Sequence, residues 1–271
     1  MPSSRPVALI TGANSGLGKF AALGLVEAGF DVVGTSRNTT GLDSRPGVTL
    51  RDLDVTSDES VATLVEGVIA DFGRIDVLVN NAGMGLAGAI EENSIAQQQK
   101  LFDINVFGVV RMTNAVLPHM RARGSGRIIN ISSIFGFMPA PYMAAYSATK
   151  YAVEGYSESV DHEVRGHGIR VLLVEPGGTR TGFDDNTTAP DNPLDVYARQ
   201  RSRANGVVAE QVNGGEDPVT VAKAIVAAAT DQKPKLRYPA GVKARQLSAM
   251  RRAVPSRIFD KQLRKTFELT D

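Results

Sequence analysis

The stretch VALITGANSGLG, residues 7–18, sets an apolar run directly against a turn containing three glycines. Residues 7–11 read as a buried strand, and residues 16–28 continue with helical apolar spacing. Between them Gly12, Gly16 and Gly18 leave the backbone free to turn tightly. A strand–turn–helix corner of this kind lets main-chain N–H groups approach a pyrophosphate, whose charge the helix N-terminus favours. The spacing is G-x-x-x-G-x-G, not the G-x-G-x-x-G of the commonest dinucleotide turn.

Outward from this corner the same alternation repeats. Apolar runs at 31–36, 48–54, 75–80, 126–132 and 169–176 read as strands, with a short one at 236–239. Helical spacing occupies 57–72, 94–121, 145–166 and 217–230. Strand–helix alternation means parallel pairing through right-handed crossovers. The expected fold is α/β: one doubly wound, Rossmann-like parallel sheet of about seven strands with helices on both faces. The near-continuous apolar character of the strands suits a sheet covered on both sides. Residues 1–271 read as one domain, since no Pro/Gly/Ser linker divides the middle. Two segments stand out. Residues 178–216 are irregular, with a short helix in LDVYARQRSRA, and read as a substrate lid. Residues 240–271 read as a basic helical tail.

Composition narrows the class. The 271 residues are 42% hydrophobic and 22% charged with net charge +1, an ordinary globular profile. No apolar run reaches the ~20 residues of a membrane span, and the first strand starts too early for a signal peptide. A cytoplasmic location is the expectation. Without cysteine there is no disulfide or thiolate metal site, and His119, His162 and His167 form no ligand cluster, so no metal is expected. From Lys233 to Lys265 eleven Lys/Arg face Asp260 as the single acid. That run fits either a patch for nucleic acid or anionic lipid, or a solvated tail packing its apolar residues inward. The packed tail is the preferred reading, and no nucleic-acid partner is expected.

A second stretch, AAYSATKYAVEGY (144–156), places Tyr146 and Lys150 four residues apart, on one face of a helix. A phenol is a poor acid–base group at neutral pH, with a free pKa near ~10. A neighbouring ammonium stabilises its anion. Tyr142 and Tyr151 lack such a partner and read as a pocket wall and a packed helix residue.

Taken in order, the motifs resemble the short-chain dehydrogenase/reductase family over about residues 6–240. Thr11 and the glycine turn resemble its nucleotide motif, LDVT (53–56) its adenine-contacting segment, and NNAG (80–83) the end of its fourth strand. Asn105 in FDINVFG, INISSIFG (129–136), the Tyr146/Lys150 pair and EPGGTRT (175–181) match the rest, with a downstream pattern like hydroxysteroid and retinol dehydrogenases. The resemblance implies an oxidoreductase whose catalytic set is Asn105, Ser133, Tyr146 and Lys150. Strand alternation sends Ser132 and Ser133 to opposite faces, and the family spacing of thirteen residues before the tyrosine selects Ser133. Ser132 is then expected to bond backbone. Ser133 would orient a carbonyl, Asn105 would anchor a water that links Lys150 to solvent, and Lys150 would also hold the nicotinamide ribose.

The implied cofactor contacts come from Gly12, Asn14, Ser15, Gly16, Leu17 and Gly18, and from Ser36, Arg37, Asp54 and Val55. Asn81, Ala82, Gly83, Tyr146, Lys150, Pro176, Gly177, Thr179 and Thr181 complete them. At the end of the second strand, GTSRN (34–38) has Ser36 where an acid would bind ribose hydroxyls, followed by Arg37. A guanidinium fork suits a 2′-phosphate, so NADP(H) is preferred to NAD(H). Some NADP-preferring relatives carry a cation inside the glycine turn. Here Asn14 and Ser15 stand there, leaving one cation in evidence. Substrate-side positions are Met84, Phe135, Phe137, Met138, Tyr142 and Phe183, with Arg180 the one candidate charge. They imply a neutral, lipophilic ketone or alcohol. Relatives form homodimers or homotetramers through the helices carrying Asn105 and Tyr146. A rival reading is a regulator on the same fold that binds NADP(H) without turnover.

Overall fold

Alternate residues of the central strands divide between two apolar layers. Ala8 and Ile10 face one layer with Val32, Val77, Val79, Ile129 and Leu172. Val7 and Leu9 face the other with Val33, Leu78, Ile128 and Val171. The structure, a computed structural model, describes residues 4–43, 45–181 and 186–269. In chain order its first half runs β1 (Val7–Ile10), α1 (Gly16–Glu27), β2 (Asp31–Ser36), β3 (Val48–Asp52), α2 (Asp58–Phe72), β4 (Val77–Asn80), β5 (Gly85–Leu86) and α3 (Ile95–Phe102). Next come α4 (Gly108–Arg123), β6 (Gly126–Ile131), α5 (Ala144–Val164), β7 (Ile169–Pro176) and β8 (Thr187–Thr188). The chain then runs through α6 (Asp195–Asn213), α7 (Pro218–Thr230), β9 (Arg237–Ala240), α8 (Val242–Ala253) and α9 (Ser256–Thr266).

Seven strands form one parallel sheet in the order β3-β2-β1-β4-β6-β7-β9. The register runs Ala8↔Val32 on one side of β1 and Ala8↔Val77 on the other. Apolar residues of α1 and α7 close the first layer, and those of α2, α4 and α5 close the second. This is the doubly wound arrangement that the alternating runs predict. Strand order reverses about β1 and β4, so their carboxyl ends diverge into a crevice where such sheets bind ligands.

Three expectations are corrected. The helix expected at 94–121 is interrupted: α3 and α4 are joined by a π-helical turn, Asp103–Phe107, that inserts extra backbone into the spiral. The short helix expected in LDVYARQRSRA is in fact the 19 residues of α6. Asn205 and Gly206, a turn signal, follow Ala204 directly and hid its length. Tyr151 is 42% exposed on α5 rather than packed. The tail does pack: Phe259 and Phe267 are buried, and Leu247, Met250 and Leu263 lie against the cluster that contains Tyr146. None of the described helices is long and apolar enough to cross a membrane.

Candidate active site

The glycine corner needs glycine for two separate reasons. Gly12 and Gly16 have φ of +67° and +51°, a region that L side chains avoid. Gly18 is needed for space, since a Cβ there would lie 2.1 Å from the Gly12 carbonyl oxygen. The corner is held from β4 as well. Thr11 Oγ1 accepts the Asn81 and Ala82 N–H groups at 3.0 and 2.9 Å, and Asn81 Nδ2 donates to the Thr11 and Gly12 carbonyls at 2.9 Å. Ala13 N–H donates to Thr35 O at 2.7 Å, which sets the turn beside the end of β2. Thus NNAG serves the glycine turn directly.

A cavity of about 1060 Å³ opens along the carboxyl ends of the strands. Its walls include Asn14, Ser15, Gly16 and Leu17 from the turn, Ser36 and Arg37 after β2, and Asp54 and Val55 after β3. Ala82 and Gly83 follow β4, and Ser133, Tyr146, Lys150, Pro176, Gly177, Thr179 and Thr181 close the far end. A cavity walled at one end by the glycine turn, whose close packing a Cβ at Gly18 would break, and at the other by a lysine, fits an extended dinucleotide. Gly18 and Asn105 stand behind the described wall and shape it. Arg37 is exposed and makes no hydrogen bond or ion pair among the described residues. Asp54 bonds Thr56 through its N–H and hydroxyl at 2.9 and 2.7 Å, which holds its carboxyl below the usual range; Arg37 adds to that effect.

At the chemical end Tyr146 is buried on the first turn of α5, edge-on to Phe135 with ring centroids 6.4 Å apart. Burial raises its pKa well above that of a free phenol, and a hydrogen bond with Ser133 draws it partly back. Lys150, also buried, donates to Ile131 O at 2.9 Å and lies 5.7 Å from the Tyr146 ring centroid. No carboxylate pairs with it among the described residues, and burial lowers its pKa to about 8. Desolvation therefore dominates the phenol, and the lowering it feels comes from Ser133 rather than from the lysine.

Asn105 sits in the π-helical turn. Its Oδ1 accepts Met84 N–H at 2.9 Å, and its Nδ2 donates to Met84 O and Thr149 Oγ1 at 2.9 and 3.2 Å. Both side-chain N–H groups are thereby committed, so water anchoring cannot use them. Thr149 Oγ1 donates in turn to Tyr146 O at 2.7 Å, so Asn105 positions the start of α5. Ser133 begins the turn after β6, its Oγ accepting Phe135 N–H at 3.2 Å. Ser132 departs from expectation: its backbone N–H bonds Val174 O, but its buried Oγ has no partner among the described residues.

The substrate-side set divides. Met84 and Phe135 line the cavity; Phe137, Met138 and Tyr142 are not among its described lining, and Phe183 lies outside the described residues. Tyr142 instead meets Tyr197 edge-on at 6.3 Å and has a φ of +62°, a strained backbone for a bulky residue. Arg180 turns to Gly215 O and Asp217. The sequence reading missed the wall supplied by α6, where Arg201, Asn205, Val208 and Val212 line one helical face. Arg201 pairs with the fully buried Glu92, whose carboxylate also accepts the Ala89 and Leu194 N–H groups. It also missed a buried ladder beneath the site, Asn80 to Asn130 to Ser157, with both links at 2.8 Å. Spacing of 50 and 27 residues left no local signal for it.

Residues 6–192 match the family model described as short chain dehydrogenase. A 3-ketodihydrosphingosine reductase of Bacteroides thetaiotaomicron is 42% identical over 237 residues, 87% of each chain. Among solved structures, a short-chain dehydrogenase from Streptomyces avermitilis superposes with a TM-score of 0.84 at 38% identity, covering 97% of this chain and 98% of that one. A 3-ketoacyl-(acyl-carrier-protein) reductase from Brucella melitensis, complexed with NADH, gives 0.72 at 26% identity, covering 84% and 91%.

Proposed function

The chain belongs to the short-chain dehydrogenase family and is an NAD(P)-dependent oxidoreductase of CH–OH and C=O groups; on that premise we propose that it transfers hydride between NADP(H) and a neutral, lipophilic ketone or alcohol, with Tyr146 as general acid/base. The observation that carries this reading is the convergence of Ser133, Tyr146 and Lys150 at one end of a cavity whose other end is the glycine turn.

When bound, the nicotinamide supplies or accepts the hydride. The protein's own groups handle the proton and the oxygen. Ser133 Oγ and the Tyr146 hydroxyl form a pair of donors for a substrate oxygen, and the phenol delivers its proton as negative charge develops there. Burial keeps Tyr146 protonated, which suits donation in the reductive direction. The Lys150 ammonium, uncompensated by a carboxylate among the described residues, favours the phenolate left behind. Asn105 holds α5 against Met84, so the phenol and the cavity wall keep one geometry.

Ser36 and Arg37 support NADP(H) over NAD(H): no acid directly follows β2 to repel a 2′-phosphate, and a guanidinium with no ion pair among the described residues faces the cavity. Met84, Phe135, Val208 and Val212 support an apolar substrate, as does the sphingoid-ketone name of the Bacteroides relative. The proposal includes a cytoplasmic homodimer or homotetramer, consistent with the exposed Ile95, Phe107 and Tyr151 on α3, the π-helical turn and α5. The test is cofactor consumption against a panel of aldehydes and ketones, with NADPH and NADH compared. NADPH is expected to be favoured, and Tyr146→Phe should lower kcat by ~10²–10⁴-fold while cofactor binding persists. Turnover that survives this substitution would sink the mechanism, and clear superiority of NADH would sink the cofactor assignment. The rival reading, a regulator without turnover, predicts no activity on any panel member.

A further inference from the structure

We propose that Arg45 is a second specificity-determining cation for the adenosine 2′-phosphate, brought to the glycine turn by tertiary structure; this rests on the NADP(H) reading above. Arg45 lies in the β2–β3 connection, 32 and 31 residues along the chain from Ala13 and Asn14. Its guanidinium nonetheless donates to Ala13 O at 2.6 Å and to Asn14 O at 2.7 Å. Asn14, Ser36 and Arg37 line the same end of the cavity. The Ala13 N–H bond to Thr35 O ties the turn to β2 at that point. Arg45 and Arg37 therefore approach this corner from different segments, with the uncharged Asn14 and Ser15 in the turn itself.

The placement of Arg45 is built into the backbone. Pro46 restricts Arg45 to extended conformations, and Val48 N–H bonds the Arg45 carbonyl at 3.0 Å. Gly47, at φ +78°, lets the loop press on α1, where a Cβ would meet Val26 Cγ1 at 2.6 Å. The loop thus cannot swing away without losing its contact with the first helix.

Charge is left over at this corner. Neither Arg37 nor Arg45 has an ion pair among the described residues. The nearest acid on β3, Asp52, is turned to the Thr39 N–H and hydroxyl, both at 2.7 Å. Asp54, after β3, is within electrostatic reach of Arg37 but is held by Thr56, and two guanidinium groups that outnumber it favour a doubly charged phosphate over a ribose hydroxyl. Arg45 also covers the negative ends of two turn peptides, removing partial charge that would repel an anion. Both effects distinguish a 2′-phosphate from its absence, whereas a purely structural clasp would serve either dinucleotide equally.

Calorimetric binding of adenosine 2′,5′-bisphosphate and of 5′-ADP to the full-length protein separates these roles without turnover. The native protein should bind the 2′,5′-bisphosphate more tightly. Arg45→Gln should weaken that binding by ~10-fold, about the value of one charge-assisted hydrogen bond, and leave 5′-ADP within about twofold. Arg45→Lys should fall between, keeping charge but not the fork. Equal weakening of both nucleotides, or of neither, overturns the proposal for Arg45. If the native protein prefers the bisphosphate and Arg45→Gln keeps that ratio, Arg45 is excluded while NADP(H) stands. If the native protein shows no preference, the NADP(H) reading itself fails.

Discussion

Lys150 carries a buried positive charge whose one described bond goes to a main-chain carbonyl, and its folded pKa near 8 lies below the usual 10.5. Below pH 8 both folded and unfolded forms are charged, and the burial cost is present in full. Between pH 8 and about 10 the folded form loses its proton first, so the unfolded state binds more protons and stability rises with pH. Tyr146, raised above its usual value, stays neutral when folded, and its unfolded titration lowers stability only from about pH 10 upward. Urea unfolding of native protein from pH 7 to 10 should therefore contain a rising component that Lys150→Met lacks. At pH 7 this variant should be more stable by on the order of 1–2 kcal/mol, burial relief less one lost hydrogen bond, and inactive. A pH profile identical to the native one would show that Lys150 does not titrate in this window. The i, i+4 spacing makes the Tyr146–Lys150 pairing readable, but nothing in it reports burial, which needs β6 and the tail in place.

At the scale of elements, the β1–α1 corner and the α3–α4 junction differ in how openly they are written. The corner is local: glycines, strand and helix follow within twelve residues, and the close approach at Gly18 involves Gly12. Gly18→Ala should displace the start of α1 and weaken NADPH binding at least ~10-fold, measured by the fluorescence of the bound nucleotide; affinity within twofold of native would refute the close-packing argument. The α3–α4 junction is not local. Asn105 stabilises the π-helical turn by bonding Met84 and Thr149, residues from two other segments, while the apolar spacing of 94–121 runs on nearly unbroken. A hydrophobic pattern reports which face is buried, and one inserted residue shifts it too little to be seen. For the same reason α6 reads short: its cavity-facing stripe of Arg201, Asn205, Val208 and Val212 is half polar.

For the whole molecule, the tail is the element that packs its apolar residues on the body of the protein. Its apolar residues close the cluster around Phe135, Met138 and Tyr146, and its cations lie mainly outward, with Arg251 stacked on Phe259 at 5.0 Å and bonding Phe137 O. Removing residues 242–271 should uncover that cluster. Losing the buried Phe259 and Phe267 alone amounts to ~3–6 kcal/mol of apolar burial. The truncated protein should melt well below the native one and aggregate on heating, as scanning calorimetry and light scattering would record. An unchanged melting temperature would mean that the tail is a solvated appendage.

The amino-acid sequence by itself determined the parallel α/β sheet, the glycine corner and the Tyr146–Lys150 face, because each rests on a short-range period or spacing. Only the tertiary structure decided what surrounds them. It buries Tyr146 and Lys150, commits Asn105 to Met84 and Thr149, pairs Arg201 with Glu92, and carries Arg45 across to Ala13 and Asn14. These contacts join residues distant in the chain through charge, hydrogen bonding and desolvation. Such terms depend on distance in space, which strand order fixes and residue spacing does not.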